Sequence, residues 1–334
     1  MLAALLLAAG VFAPAASARQ GDAEDTAHTG RELVAVPVSA VDREGRAVEG
    51  LKPEDLRVTV EGQPQNLLFF LKRTEEPLHV VVMLDASASQ ELILPQVQPA
   101  AARFVSALLR PGRDDAAVVS FAYEAKVVQG LTADAVAVGR AISSVRFVPP
   151  PGYVGGSIVL GKANPKDPAF RAGSTALWDS LAAVCDELFA RAQGGRRAVV
   201  IVTDGMDTSS DTKRDRAVEH LMRNGVAVYS VGVADEDYYG PVSEGGLREV
   251  SKRTGGRAVF PKKPKDLPAA FERIRGDLLA SYVLKFARPA VWRGGKPLRV
   301  RVELVNPELR KRGVQLAHPQ NLSEGQAAPP AGRQ

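Results

Sequence analysis

Hydrophobic positions along the chain follow a period of two at both ends and a mixed period between them. Leu33, Val34, Val36, Val38 and Val41 predict a strand. Asp42 to Arg46 is a turn cluster, Lys52 to Leu56 reads as a short helical turn, and Val58 to Val60 and Leu67 to Leu71 predict two further strands. Residues 31–72 therefore form a small β unit, too short to bury a stable core alone. From residue 76 the pattern changes. Val80, Val81, Val82, Met83 and Leu84 form a continuous apolar run, the signature of a strand buried on both faces. Ala101, Phe104, Val105 and Leu108 keep helical spacing, and Asp115 to Phe121 is a strand paired with Ala125 to Gln129 as a hairpin. Thr132 can cap a helix running to about Val145. Leu177, Leu181, Val184 and Leu188 mark another helix, and Ala198 to Thr203 another buried strand. Ser209, Ser210 and Asp211 offer caps for a helix ending at Arg223, before a strand from Val226 to Val233. Leu247 to Arg253 is a short helix, Arg257 to Phe260 an edge strand and Asp266 to Ala280 the last helix.

This alternation predicts an α/β fold with a doubly wound, mostly parallel sheet over residues 76–280. The period of two then returns at Tyr282 to Phe286 and Leu298 to Val305. Residues 281–320 are expected to complete the unit at 31–72, giving a small β-sandwich built from both chain ends with the α/β domain inserted. Residues 19–30 and 321–334 lack periodicity and read as a disordered leader and tail.

The chemistry gathers where buried strands end. Asp85 closes the first apolar run, with Ser87 and Ser89 at alternate positions. Ligands of open parallel sheets bind at the carboxyl ends of the strands. One carboxylate and two hydroxyls there are hard oxygen donors of the kind that suits Mg²⁺, Mn²⁺ or Ca²⁺. An Asp or Ser after a strand also serves as a turn former or cap, so this triplet alone leaves both readings open. Two later features add to it: Thr175 stands at the start of an amphipathic helix about 90 residues on, and Asp204 follows the strand ending at Thr203.

The order D-x-S-x-S, Thr, Asp resembles the metal-ion-dependent adhesion site (MIDAS) of von Willebrand factor A domains, integrin I domains among them. With its flanks, the whole mature chain resembles the bacterial VWFA-related family first recognised in acidobacteria. Ala88 stands where the family commonly has Gly. The resemblance implies a Rossmann-like domain that is not an enzyme. It implies one Mg²⁺-type ion (Mg²⁺, Mn²⁺ or Ca²⁺) held by Asp85, Ser87, Ser89, Thr175 and Asp204, with a place for an Asp or Glu carboxylate of a partner protein. It also implies that the last helix, which leads into the sandwich strands, can slide on ligation. Asp179, Asp207 and Asp211 lie close by in sequence and are left out of the ligand set.

Two alternatives remain at this stage. A haloacid-dehalogenase-like phosphatase also places a Mg²⁺-binding Asp after its first strand, but needs a second Asp where Ser87 stands. A structural scaffold with a vestigial metal site is the other.

Composition changes the picture little. Apolar residues make up 45% and charged residues 24%, as in ordinary globular proteins. The net charge of +5 comes with basic clusters at Arg196-Arg197, Lys262 to Lys265 and Arg310 to Arg312, none interleaved with aromatics, so nucleic-acid binding is not expected. Cys185, the only cysteine, excludes an internal disulfide and falls on an apolar helix face. Residues 1–18 read as a signal peptide, with an apolar stretch from Leu2 to Phe12 and Ala16-Ser17-Ala18 as cleavage site, although no Lys or Arg precedes the apolar stretch. A secreted or periplasmic location follows, with no transmembrane segment after cleavage. The Pro- and Gly-rich stretch from Pro149 to Ala172 reads as a specificity loop over the metal edge, with Tyr153 as the partner-contacting residue.

Overall fold

A computed structural model describes residues 32–73, 75–149, 153–154, 157–158, 174–192, 194–292, 297–322 and 327–328. The chain opens with β1 (Leu33–Val41), β2 (Leu56–Val60), β3 (Gln63–Gln65) and β4 (Leu67–Lys72). The alternating region follows as β5 (Leu78–Asp85), α1 (Leu94–Leu108), β6 (Asp115–Phe121), β7 (Ala125–Thr132) and α2 (Ala135–Ser144). After the short pair β8 (Tyr153–Val154) and β9 (Ser157–Ile158) come α3 (Leu177–Glu187), β10 (Arg196–Thr203), α4 (Arg214–Arg223) and β11 (Val226–Gly232). Next are α5 (Glu236–Tyr239), α6 (Glu244–Thr254), β12 (Ala258–Val259) and α7 (Leu267–Leu279). The last stretch holds β13 (Ser281–Ala287), β14 (Leu298–Leu304), α8 (Pro307–Lys311), β15 (Gln315–Ala317), β16 (Asn321–Leu322) and β17 (Ala327–Ala328).

The fold is mixed α/β. Its central sheet has the order β12-β11-β10-β5-β6-β7, parallel throughout except for the antiparallel pair β6–β7. All eight residues of β5 are buried, because both faces are covered. Val80, Val82 and Leu84 point into one core with residues of α1, α2 and α7; Val81 and Met83 point into the other with residues of α3, α4 and α6. Each fully buried Val or Leu of this kind stabilises the fold by about 1.5–3 kcal/mol. A third core lies between two antiparallel sheets, β15-β1-β13-β4 and β16-β14-β2-β3, whose strands come from before β5 and after α7.

The last helix packs at the seam between these parts. α7 runs into β13 with only Ala280 between them. A methyl on Gly276 would lie 1.9 Å from the Gly45 carbonyl oxygen, so only glycine allows the β1 turn to approach the helix this closely. The buried Asp277 accepts from the Ser39 hydroxyl of β1 at 3.0 Å and from Arg257 Nε at 2.5 Å. Phe271 of α7 meets Phe104 of α1, ring centroids 5.3 Å apart.

Two capping expectations are corrected. Asp134, not Thr132, caps α2: its carboxylate accepts from the amides of Val136 and Ala137, while Thr132 accepts from the amide of Asp134 one step earlier. Ser209, Ser210 and Asp211 do not cap α4, whose N-cap is Lys213 with no side-chain cap. Ser210 serves a different helix, as described below. The short helix α8, capped by the Asn306 side chain, and the strands β3, β15, β16 and β17 add to the expected sandwich elements.

Candidate metal centre

Four loops meet at the carboxyl edge of the central sheet. β5 ends at Asp85, and the chain turns through a single 3-10 turn at Ala88–Gln90. Ala88 is absent from the residues with positive φ, so its Cβ is accommodated where a Gly is common. The amide of Ser87 donates to Asp85 Oδ1 at 2.9 Å, bending the loop back over the strand end. The Ser87 and Ser89 hydroxyls lie 3.1 Å apart, and the Ser89 hydroxyl donates to Asp204 Oδ2 at 2.5 Å. Asp204 is presented by the end of β10, the neighbour of β5. Gly205 follows with φ +78, a conformation that lets the chain turn sharply after the carboxylate. The amide of Met206 donates to Asp204 Oδ1 at 2.9 Å, and the amide of Ser243 to its backbone carbonyl at 2.7 Å.

Thr175 reaches the same edge through the backbone. The amide of Ala176 donates to the Ala122 carbonyl at 2.8 Å, and the amide of Ala86 to the Phe121 carbonyl at 2.7 Å, so the Thr175 and Asp85 loops flank the end of β6. Thr175 is buried, its amide donates to the Thr208 hydroxyl at 2.9 Å, and its carbonyl accepts from the amides of Thr208 and Ser209. The loop after Asp204 is thus stitched to the start of α3. Asp207 Oδ1 accepts from the amide of Leu177 at 3.0 Å, and the Ser210 hydroxyl accepts from that of Trp178 at 3.0 Å. In return Asp179 accepts from the amides of Asp211 and Thr212 at 2.8 and 2.9 Å. Burial pushes the Asp179 carboxyl up, but these hydrogen bonds outweigh it and hold the group below its ordinary range. Asp179 and Asp207 are occupied as caps across the two loops, which accounts for their closeness to the site.

One participant was missed in the sequence. The hydroxyl of Thr203, fully buried at the end of β10, donates to Asp85 Oδ2 at 2.5 Å and accepts from the amide of Gly205 at 3.1 Å. Its only sequence signal is its place as the polar last residue of an apolar strand. Of the predicted specificity loop, Pro149 and the pair β8–β9, with Tyr153 opposite Ile158, are described; the rest lies outside the described residues, as do the signal peptide and leader.

The donor set suits a hard divalent ion. Asp85 is 2% exposed, and burial, together with the facing Asp204 carboxylate, pushes its carboxyl up to about 7 despite hydrogen bonds from Ser87 and Thr203. Two carboxylates and two serine hydroxyls drawn together at a buried edge, with no cation among them, form a cluster that a positive ion would relieve. Among the described residues no group of three or more His, Cys, Asp or Glu has metal-site geometry, so a soft-metal site of that type is not on offer there. Each Asp85 oxygen accepts one hydrogen bond, from the Ser87 amide and the Thr203 hydroxyl, which fixes the orientation of the carboxylate. Burial pushes the Cys185 thiol up to about 12, so it is inert at neutral pH.

Residues 166–273 match the family model for the von Willebrand factor type A domain. The matched span contains Thr175 and Asp204; the Asp85 loop precedes it. Proximal thread matrix protein 1 of the mussel byssus is 17% identical over 66% of this chain and 51% of its own, with a TM-score of 0.49, so the chain spans about half its length. A von Willebrand factor type A protein from Catenulispora acidiphila is 16% identical over 82% of this chain and 70% of its own, TM-score 0.48. The conserved hypothetical protein BatB from Bacteroides thetaiotaomicron is 18% identical over 59% of this chain and 97% of its own, TM-score 0.42. No curated protein matches the chain.

Proposed function

We propose, from the match of residues 166–273 to the von Willebrand factor type A domain, that the chain is a metal-dependent, non-enzymatic protein-binding module working outside the cytoplasm. Asp85, Ser87, Ser89, Thr175 and Asp204 would hold a Mg²⁺-type ion. The observation that carries this reading is the meeting of Asp85 and Asp204 across the two serine hydroxyls, a cluster with negative charge and, among the described residues, no salt bridge to a Lys or Arg. Such an ion supplies positive charge and a position open to one outside oxygen. The chain's own groups do the rest. The Thr203 hydroxyl and Ser87 amide orient the Asp85 carboxylate, and the Met206 amide orients Asp204. Because this donor set has only two carboxylates beside neutral hydroxyls, a dication held there would not be over-neutralised and would keep an affinity for an incoming Asp or Glu of a partner.

The surroundings favour a protein as that partner. Leu92 and Met206 are exposed on the loops that follow Ser89 and Asp204. Val148 is also exposed, and its amide donates to the Ala86 carbonyl beside Asp85. Exposed apolar side chains around a charged centre suit a contact in which the carboxylate gives orientation and the rim gives area. Among the described residues no helix is long and apolar enough to cross a membrane. The extracytoplasmic placement rests on the apolar start of the chain and its small-residue cleavage site.

The test is capture of partners from the source organism by the immobilised chain with Mg²⁺ or with EDTA. Partners held in Mg²⁺, released by EDTA and not captured by Ser87→Ala are expected. Capture undiminished in EDTA contradicts the proposal.

A further inference from the structure

A crevice of about 90 Å³ opens at the other end of the central sheet, where its parallel strands begin. It lies on the seam between the α/β layers and the antiparallel sheets. Its lining includes Ser39 of β1 and Ser281 of β13 from the sandwich sheets, Arg196 and Arg197 of β10 and Tyr229 of β11 from the central sheet, and Arg73 from the segment joining β4 to β5. None of these residues belongs to the Asp85 edge.

The charge in this crevice does not balance. Arg73 pairs with Glu76, and Arg110 nearby pairs with Asp114. Arg257 neutralises Asp277, the one carboxylate in the lining. Arg197 donates to the carbonyls of Asn224 and Ala192. Arg196 is only 7% exposed and meets no carboxylate among the described residues. One of its terminal nitrogens donates to the Leu278 carbonyl at the end of α7, and its buried Nε has no partner. Burial, with Arg73 and Arg110 as like-charged neighbours, lowers Arg196 to about 10, so it is still a cation at neutral pH. A buried charge without a hydrogen-bonded counter-ion is costly, and buried charges are ordinarily paired.

We propose that the crevice binds a small tetrahedral oxyanion between Arg196 and Arg73, and that this anion ties the α/β layers to the sandwich sheets. The planar guanidinium fork suits oxyanions of the phosphate type. The crevice has room for such an ion, and its arginine lining suits one. The Ser281 hydroxyl on the sandwich side and the arginines on the other give the anion contacts with both; the Ser39 hydroxyl stays with Asp277.

Isothermal titration of the full chain with inorganic phosphate, at constant ionic strength and in EDTA, tests this independently of the metal centre. Saturable binding of one phosphate per chain and a raised melting midpoint are expected. Arg196→Met should weaken binding at least tenfold and Arg73→Gln several-fold. If Arg196→Met fails to fold, Arg73→Gln decides. Absence of saturable binding to the wild-type chain, or binding undiminished in the folded variants, overturns the proposal.

Discussion

Asp85→Asn is expected to abolish saturable Mn²⁺ binding and, in the metal-free protein at pH 8, to raise the melting midpoint. The first effect follows from removing a carboxylate of the proposed donor set. Loss of an outer-shell partner alone costs 10–100-fold in metal affinity, so loss of this charge should cost at least about 100-fold. The second follows from the sign of the Asp85 shift. Its carboxyl is pushed up from 3.8 to about 7 in the fold, chiefly by burial and then by Asp204. A carboxyl raised in the folded state binds its proton more tightly there than in the unfolded chain. Its contribution to stability is therefore fully present below about pH 4 and lost as pH rises through about 7. At pH 8 the metal-free fold holds a carboxylate that burial disfavours. Three pKa units set an upper limit of about 4 kcal/mol. Imperfect replacement of the Ser87 and Thr203 hydrogen bonds leaves an expected gain of about 1–3 kcal/mol. At pH 5 the gain should shrink, and Mn²⁺ should stabilise the wild type but not the variant. Thermal unfolding at both pH values, with and without Mn²⁺, checks each part. A variant that binds Mn²⁺ like the wild type, or that is less stable at pH 8 than at pH 5 relative to it, contradicts the account.

Asp277→Ala is expected to destabilise the protein by about 3–5 kcal/mol, the usual cost of removing one partner from a buried ion pair. Asp277 is 1% exposed and accepts from Arg257 and Ser39 together. The substitution leaves the guanidinium of Arg257 beside an apolar methyl and frees the Ser39 hydroxyl of β1. The damage therefore falls on the seam where α7 meets the sandwich. Replacing Arg257 by Leu in the same chain should recover part of the loss, because the stranded charge disappears. Denaturant midpoints of the single and double variants test this. A loss below about 1 kcal/mol for Asp277→Ala would contradict it.

The central sheet was legible because its strands are buried on both faces and show as unbroken apolar runs. β5 is the clearest case, with its two alternating sets of side chains in two different cores. The antiparallel strand β7, expected over Ala125 to Gln129 as the edge strand of the resembled fold, runs on to Thr132. What escaped was decided across loops. Ser209, Ser210 and Asp211 look like local caps because their residue types suit that role. Ser210 in fact caps α3, some thirty residues away in sequence, which a linear pattern does not encode. Thr203 was passed over as the end of a strand, although its hydroxyl holds Asp85. The short strands β3, β15, β16 and β17 have too few residues to display a period. In the candidate site, Asp85, Ser87, Ser89 and Asp204 form one connected cluster. Thr175 stands at the same edge, held by its backbone to Thr208, while among the described residues its hydroxyl makes no hydrogen bond to the cluster. The strand-end positions of the two acids made that convergence readable, since neighbouring parallel strands end on the same edge.

The most direct measurement is anomalous diffraction from crystals of the full chain soaked in Mn²⁺. The account predicts one dominant peak among the oxygens of Asp85, Ser87, Ser89, Thr175 and Asp204, absent after EDTA treatment. Crystals that take up Mn²⁺ only elsewhere, or none at this edge at saturating concentration, would contradict it.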